Sequence, residues 1–171
     1  MSWSSALRIA TLVALTLFLG ACGFHLRDRA NLPFDTLYVE GGTFIVDLKR
    51  AIGAGSSARV VPGPVEAHAV LRISGESREK RILTLAGSGR VQEYRLVYRV
   101  EFQLRDRQNR DLLPTQNIEL HRDMAYDDTL ILAKESEEAL LYKEMQRDAI
   151  SQILRRLNAA KLPPPVTVPE D

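Results

Sequence analysis

Between residues 94 and 104 the chain alternates without a break: Tyr94, Leu96, Tyr98, Val100, Phe102 and Leu104 on one side, Arg95, Val97, Arg99, Glu101 and Gln103 on the other. Six matches to a two-residue period predict a half-buried antiparallel strand. At about 3.3 Å per residue it extends roughly 36 Å and needs partners of similar length. The stretch 69–85 supplies one, with Gly75 as the expected bulge and Gly87-Ser88-Gly89 as the turn between them. On the other side, 106–111 is a polar turn and 115–125 a return strand that places Ile118, Leu120 and Met124 on a shared face. The result is a meander of long strands.

The flanking segments supply shorter elements and one long helix. Residues 36–40 (Thr-Leu-Tyr-Val-Glu) read as a first strand, and Gly41-Gly42 as a turn. Thr43 is the expected N-cap of a short helix carrying Phe44, Leu48, Ala51 and Ile52, stopped by Gly53 and Gly55. A brief strand at 59–61 ends at Pro62-Gly63-Pro64. Asp127 and Asp128 are expected to cap a short turn through 129–133, after which 135–157 is predicted helical. Its stripe of Leu141, Met145, Ala149, Ile153 and Leu157, flanked by Ile150 and Leu154, should lie on the sheet. Glu135, Glu137 and Glu138 at its start and Arg155 and Arg156 at its end suit the helix dipole. Prolines 163, 164, 165 and 169 make 158–171 an expected extended or flexible tail.

The N-terminus constrains location. Arg8 precedes an apolar stretch, 9–19, which is followed by Gly20-Ala21-Cys22; residues 1–21 read as an export signal too short for a permanent bilayer span. Cys22 is the only cysteine, so it has no partner for an internal disulfide. Placed after small residues, it resembles the acylated cysteine of bacterial lipoproteins, and two or more acyl chains anchor a protein stably where one does not. Gly23 rather than Asp follows it, which by the same resemblance points to the outer membrane. Residues 22–35 then form a lipidated tether and 36–157 a single domain. The signal holds one of the 23 basic residues and none of the 22 acidic ones, leaving 22 of each. That balance argues against a nucleic-acid-coating role.

Catalytic and metal chemistry lack their components. His25, His68 and His121 are scattered, the cysteine is committed to lipid, and no Gly-x-Ser-x-Gly, Walker or dinucleotide pattern is present. No cofactor is expected. Basic residues do gather in the meander: Arg78, Lys80, Arg81, Arg90, Arg95 and Arg99, with Lys134 ahead of the long helix. They are either solvated strand faces or a phosphate-binding patch, with Leu83, Leu85 and Val97 as apolar neighbours.

Cys22-Gly23-Phe24-His25-Leu26-Arg27-Asp28 resembles the opening of the mature LptE family, the lipopolysaccharide-assembly lipoproteins of Gram-negative outer membranes. Gln92-Glu93-Tyr94, Leu132-Ala133-Lys134, Tyr142-Lys143-Glu144-Met145 and Leu154-Arg155-Arg156-Leu157 resemble it further. The resemblance implies an α+β fold: a mixed, mostly antiparallel sheet of about four strands with two helices packed on it. It implies a noncatalytic protein that plugs the outer-membrane β-barrel LptD, assists its assembly and binds lipopolysaccharide. The family's lipid-contacting basic residue before the last helix falls on Lys134. Its second basic position, in the hairpin, falls on Gly87, with Arg90 three residues on as the candidate here. A competing expectation is an accessory outer-membrane lipoprotein of another envelope machine that does not bind lipopolysaccharide.

Overall fold

The computed structural model describes residues 32–160; the expected signal, Cys22 and the proline-rich part of the tail lie outside them. The elements, in chain order, are β1 (Thr36–Glu40), α1 (Ile45–Gly55), β2 (Arg59–Val60), a 3-10 turn (Pro64–Glu66), β3 (Ala69–Leu85), β4 (Val91–Asp106), β5 (Asp111–Ala125), a second 3-10 turn (Asp128–Leu130) and α2 (Ile131–Asn158). The sheet order is β2-β1-β3-β4-β5. Strand β1 is parallel to both β2 and β3, while β3, β4 and β5 are antiparallel. The fold is therefore α+β with a mixed, mostly antiparallel sheet and two helices, the two-residue β2 making a fifth strand.

The alternation of β4 decides which face is covered. Leu96, Tyr98, Val100, Phe102 and Leu104 have no exposed surface. They meet Tyr142, Met145, Ala149, Ile150, Ile153 and Leu157 of α2 and Leu48 and Ile52 of α1 in one core. Tyr142, rather than the half-buried Leu141, takes the first buried place on the α2 stripe. Its hydroxyl donates to the Glu79 backbone carbonyl, which ties helix to sheet. Leu32 and Phe34 are buried in the same core, so the packed body begins within the segment read as tether.

Three local expectations change. Thr43 does not cap α1: its backbone N–H and hydroxyl both donate to the Glu76 carboxylate on β3, at 2.7 and 2.9 Å, and Phe44 stands at the N-cap without a side-chain bond. A charged acceptor across the sheet outcompetes the local cap. Helix α2 begins at Ile131, four residues before the expected start, so its first turn carries no acidic residue. Strand β5 begins at Asp111 and carries Pro114 at a register shift, which an edge strand tolerates because its outer N–H groups have no ladder to serve. The bulge at Gly75 is as expected, between Ile73 and Gly75.

Candidate functional site

Strand parity divides the basic residues of the meander. Arg81, Arg95 and Arg99 lie on the open face, away from the helices, and all three are engaged. Arg81 and Arg99 both bond Glu79, Arg99 also bonds Glu119 at 2.6 Å, and Arg95 holds Asp123 through two bonds of 2.7 and 2.8 Å. The Arg81 and Arg99 guanidiniums pull the Glu79 carboxyl from 4.5 down to about 2. Val97, on the same face, is nonetheless buried at 2% exposure. It sits between Arg95 and Arg99 on its own strand, with Glu79 and His121 across from it, and the aliphatic stems of such neighbours cover it. This face is a self-neutralised lattice with little cationic capacity to spare.

The helix face is different. Arg78 stacks over the rings of Tyr98 and Tyr142, at 5.9 and 5.4 Å. Lys80 lies 4.3 Å from the ring centre of Tyr94, 5.7 Å from that of Tyr126, and bonds Glu138 of α2 at 2.6 Å. The Tyr94 and Tyr126 rings meet edge to face at 5.0 Å. Lys134 is one helical turn before Glu138, hence on the same sheet-facing side of α2. Its side chain is only 17% exposed and its ammonium donates to Glu137 at 2.8 Å.

Arg90 reaches the same place from the hairpin. The turn before it is closed by the Gly89 N–H donating to Ala86 and the Ala86 N–H to Arg90, with Gly89 at φ +80°. Its guanidinium is 77% exposed and comes within 4.0 Å of Asp128, in the 3-10 turn that leads into α2. Asp127 accepts from the Thr129 N–H and hydroxyl, and these bonds, backbone first, lower its carboxyl with a contribution from the nearby Lys134 charge. Two candidate residues 44 positions apart are thus brought to one end of the molecule, the tip, by the β3–β4 hairpin and the start of α2. Cys22, the third, lies outside the described residues.

Sequence reasoning names Leu83 and Leu85 as apolar neighbours of the basic patch but misses the rest of the apolar surface at this end. Ile82 and Leu85 on the hairpin and Leu130, Ile131 and Leu132 at the helix start are all more than half exposed. The signal is the Leu-Ile-Leu run directly ahead of a charged stretch, which falls in the expected turn through 129–133 but forms the first turn of α2.

The LptE family model, described as lipopolysaccharide-assembly, matches residues 34–157. The chain belongs to the LptE family. Among its relatives, the LPS-assembly lipoprotein LptE of Yersinia enterocolitica is 30% identical over 142 residues, 80% of this chain and 68% of that protein. Two solved structures share the fold. An uncharacterized lipoprotein B from Nitrosomonas europaea is 44% identical with a TM-score of 0.71, covering 80% of this chain and 91% of its own. The rare lipoprotein B of Shewanella oneidensis is 29% identical with a TM-score of 0.63, covering 73% and 95%. LptE is a family of assembly lipoproteins rather than an enzyme class, and membership gives the chain a role in lipopolysaccharide assembly.

Proposed function

We propose that this LptE-family protein is an outer-membrane lipoprotein, anchored through acylated Cys22, that plugs the LptD β-barrel, assists its assembly and binds lipopolysaccharide at its tip through Lys134 and Arg90. The observation that carries the reading is the convergence of these two cations on Asp127 and Asp128 at one end of the fold. Lipid A bears phosphates, which Arg engages bidentately and Lys as a point charge. Arg90 is open to solvent, whereas Lys134 must leave Glu137 to take a phosphate. Plugging draws support from shape: sixteen extended residues of β4 reach roughly 50 Å, enough to run the height of a membrane barrel.

The test separates the two parts of the proposal. Lys134→Asp should weaken lipopolysaccharide binding at least about tenfold, a factor equivalent to about 1.4 kcal/mol, while the tagged protein still copurifies with a barrel of LptD size. Unchanged binding would return Lys134 to a solvated helix position. Normal barrel assembly in cells depleted of this protein would remove the plug and assembly role.

A further inference from the structure

We infer that the aliphatic tip, Ile82, Leu83 and Leu85 on the hairpin with Leu130, Ile131 and Leu132 on α2, is the seat for the acyl chains of the anionic lipid whose phosphates Arg90 and Lys134 take. The inference rests on the lipopolysaccharide-binding reading above and assigns the lipid's apolar half a site of its own.

Six of the nine exposed large apolar residues among those described belong to this one end, so they are a patch rather than the scatter any surface carries. Their exposures run from 40% at Leu83 to 79% at Leu132. The two arms end at the same level. Lys80 bonds Glu138, so the two turns of helix that precede Glu138 run about 12 Å further toward the tip. Four strand residues beyond Lys80 cover a similar distance, which brings the helix start level with the end of β3. Ile82 is paired with Tyr94, on the helix-facing side. On the sheet-facing side of α2 in these turns Lys134 is half-buried and Ile131, one turn before it, is left 51% exposed. Core packing therefore ends near Tyr142, and the apolar surface beyond it is left uncovered.

Charge selects the occupant. Arg90, Lys80 and Lys134 border this surface, and a ligand with fatty chains and anionic head groups satisfies both parts at once. Each of the three is held by one carboxylate, Asp128, Glu138 and Glu137, which an anionic head group displaces on binding.

The test compares intact lipopolysaccharide with the same material freed of all its acyl chains, the ester-linked ones by mild base and the amide-linked ones by hot concentrated alkali, its phosphates retained. Binding is measured to the full-length lipoprotein in phosphatidylcholine nanodiscs, at lipid concentrations below aggregation. The wild type should bind the intact form at least about tenfold tighter, the gain from burying roughly two methylene groups. The double variant Leu85→Ser/Leu132→Ser should bind the intact form as weakly as the wild type binds the deacylated one, with deacylated binding unchanged. Equal, measurable binding of both forms by the wild type overturns the acyl seat and leaves the phosphate reading standing. Loss of binding to both forms by the wild type removes the two together. A double variant that keeps full affinity for the intact form but loses copurification with the barrel reassigns the patch to the barrel and overturns the inference. Both substituted side chains are exposed, and an unchanged thermal melt confirms that the variant folds.

Discussion

At the scale of single residues, position matters more than type. Gly41 has φ +78°, and a Cβ there would stand 2.3 Å from the Ile73 carbonyl oxygen. Gly41→Ala therefore combines a strained backbone, about 1–3 kcal/mol, with a clash against a main-chain atom that cannot swing away. Urea denaturation should give a loss at or above the top of that range, while Gly53→Ala, with open space at its Cβ inside α1, should be neutral or stabilising. Glu79 makes a second prediction. Its folded carboxyl sits at about 2 against an ordinary 4.5, first through Arg81 and then Arg99. A depressed carboxylate contributes stability that is fully present above pH 4.5 and lost as the pH falls through about 2. An NMR titration of the Glu79 side chain should find its midpoint near that value, and Arg81→Gln should raise it further than Arg99→Gln. A midpoint near 4.5 in the wild type would mean that the lattice does not persist in solution.

At the scale of elements, α2 has two halves with different work. From Tyr142 onward it buries a continuous stripe, whereas of its first ten residues only Lys134 and Glu138 are even half-buried. Met145→Ala or Ile153→Ala removes a side chain with no exposed surface, which costs about 2–5 kcal/mol. Leu132→Ala should change stability by no more than about 0.5 kcal/mol. Hydrogen exchange should show amides near the start of the helix opening well before those beyond Tyr142, because local stability follows buried contacts. The same contrast explains what could be read in advance. The β4 alternation and the α2 stripe are core signals with a fixed period, and they placed the meander and the helix that covers it. Thr43 looked like a cap because capping is local; its partner Glu76 is 33 positions away and reaches it only through the β1–β3 pairing. Likewise Leu130–Leu132 carry no period, since nothing among the described residues packs over them, and the sequence places the start of α2 too late. Among the site residues Lys134 and Arg90 could be named from the resemblance, but their meeting at Asp127 and Asp128 depends on the length of the hairpin.

At the scale of the molecule, the ends differ. Leu32, whose N–H donates to the Ser57 hydroxyl, lies with Thr36, Arg59 and Ala69 at the base, far from the hairpin turn. Leu32 is ten Cα-to-Cα steps from Cys22, a reach of at most about 36 Å even if fully extended. With Cys22 as the proposed anchor, the folded body is held from its base, and β4 carries the chain roughly 50 Å from there to the tip. Lipid bound at the tip should be remote from the bilayer leaflet that holds the anchor. A matched pair of exposed positions tests this: Leu85 at the tip, 55% exposed, and Val65 at the base, 77% exposed. Val65 belongs to the base because its carbonyl accepts from Arg107 in the β4–β5 turn and the neighbouring Glu66 carbonyl accepts from Thr36. With a photo-crosslinking residue at each position of the full-length lipoprotein in cells, position 85 should capture lipopolysaccharide and position 65, although the more exposed, should not. Cys22→Ser should abolish the membrane hold without altering the melt of the folded domain, and capture at position 85 should fall with it. Equal capture at both ends would mean that lipid contact follows exposure alone, and the division of the molecule into an anchored base and a lipid-binding tip would fail.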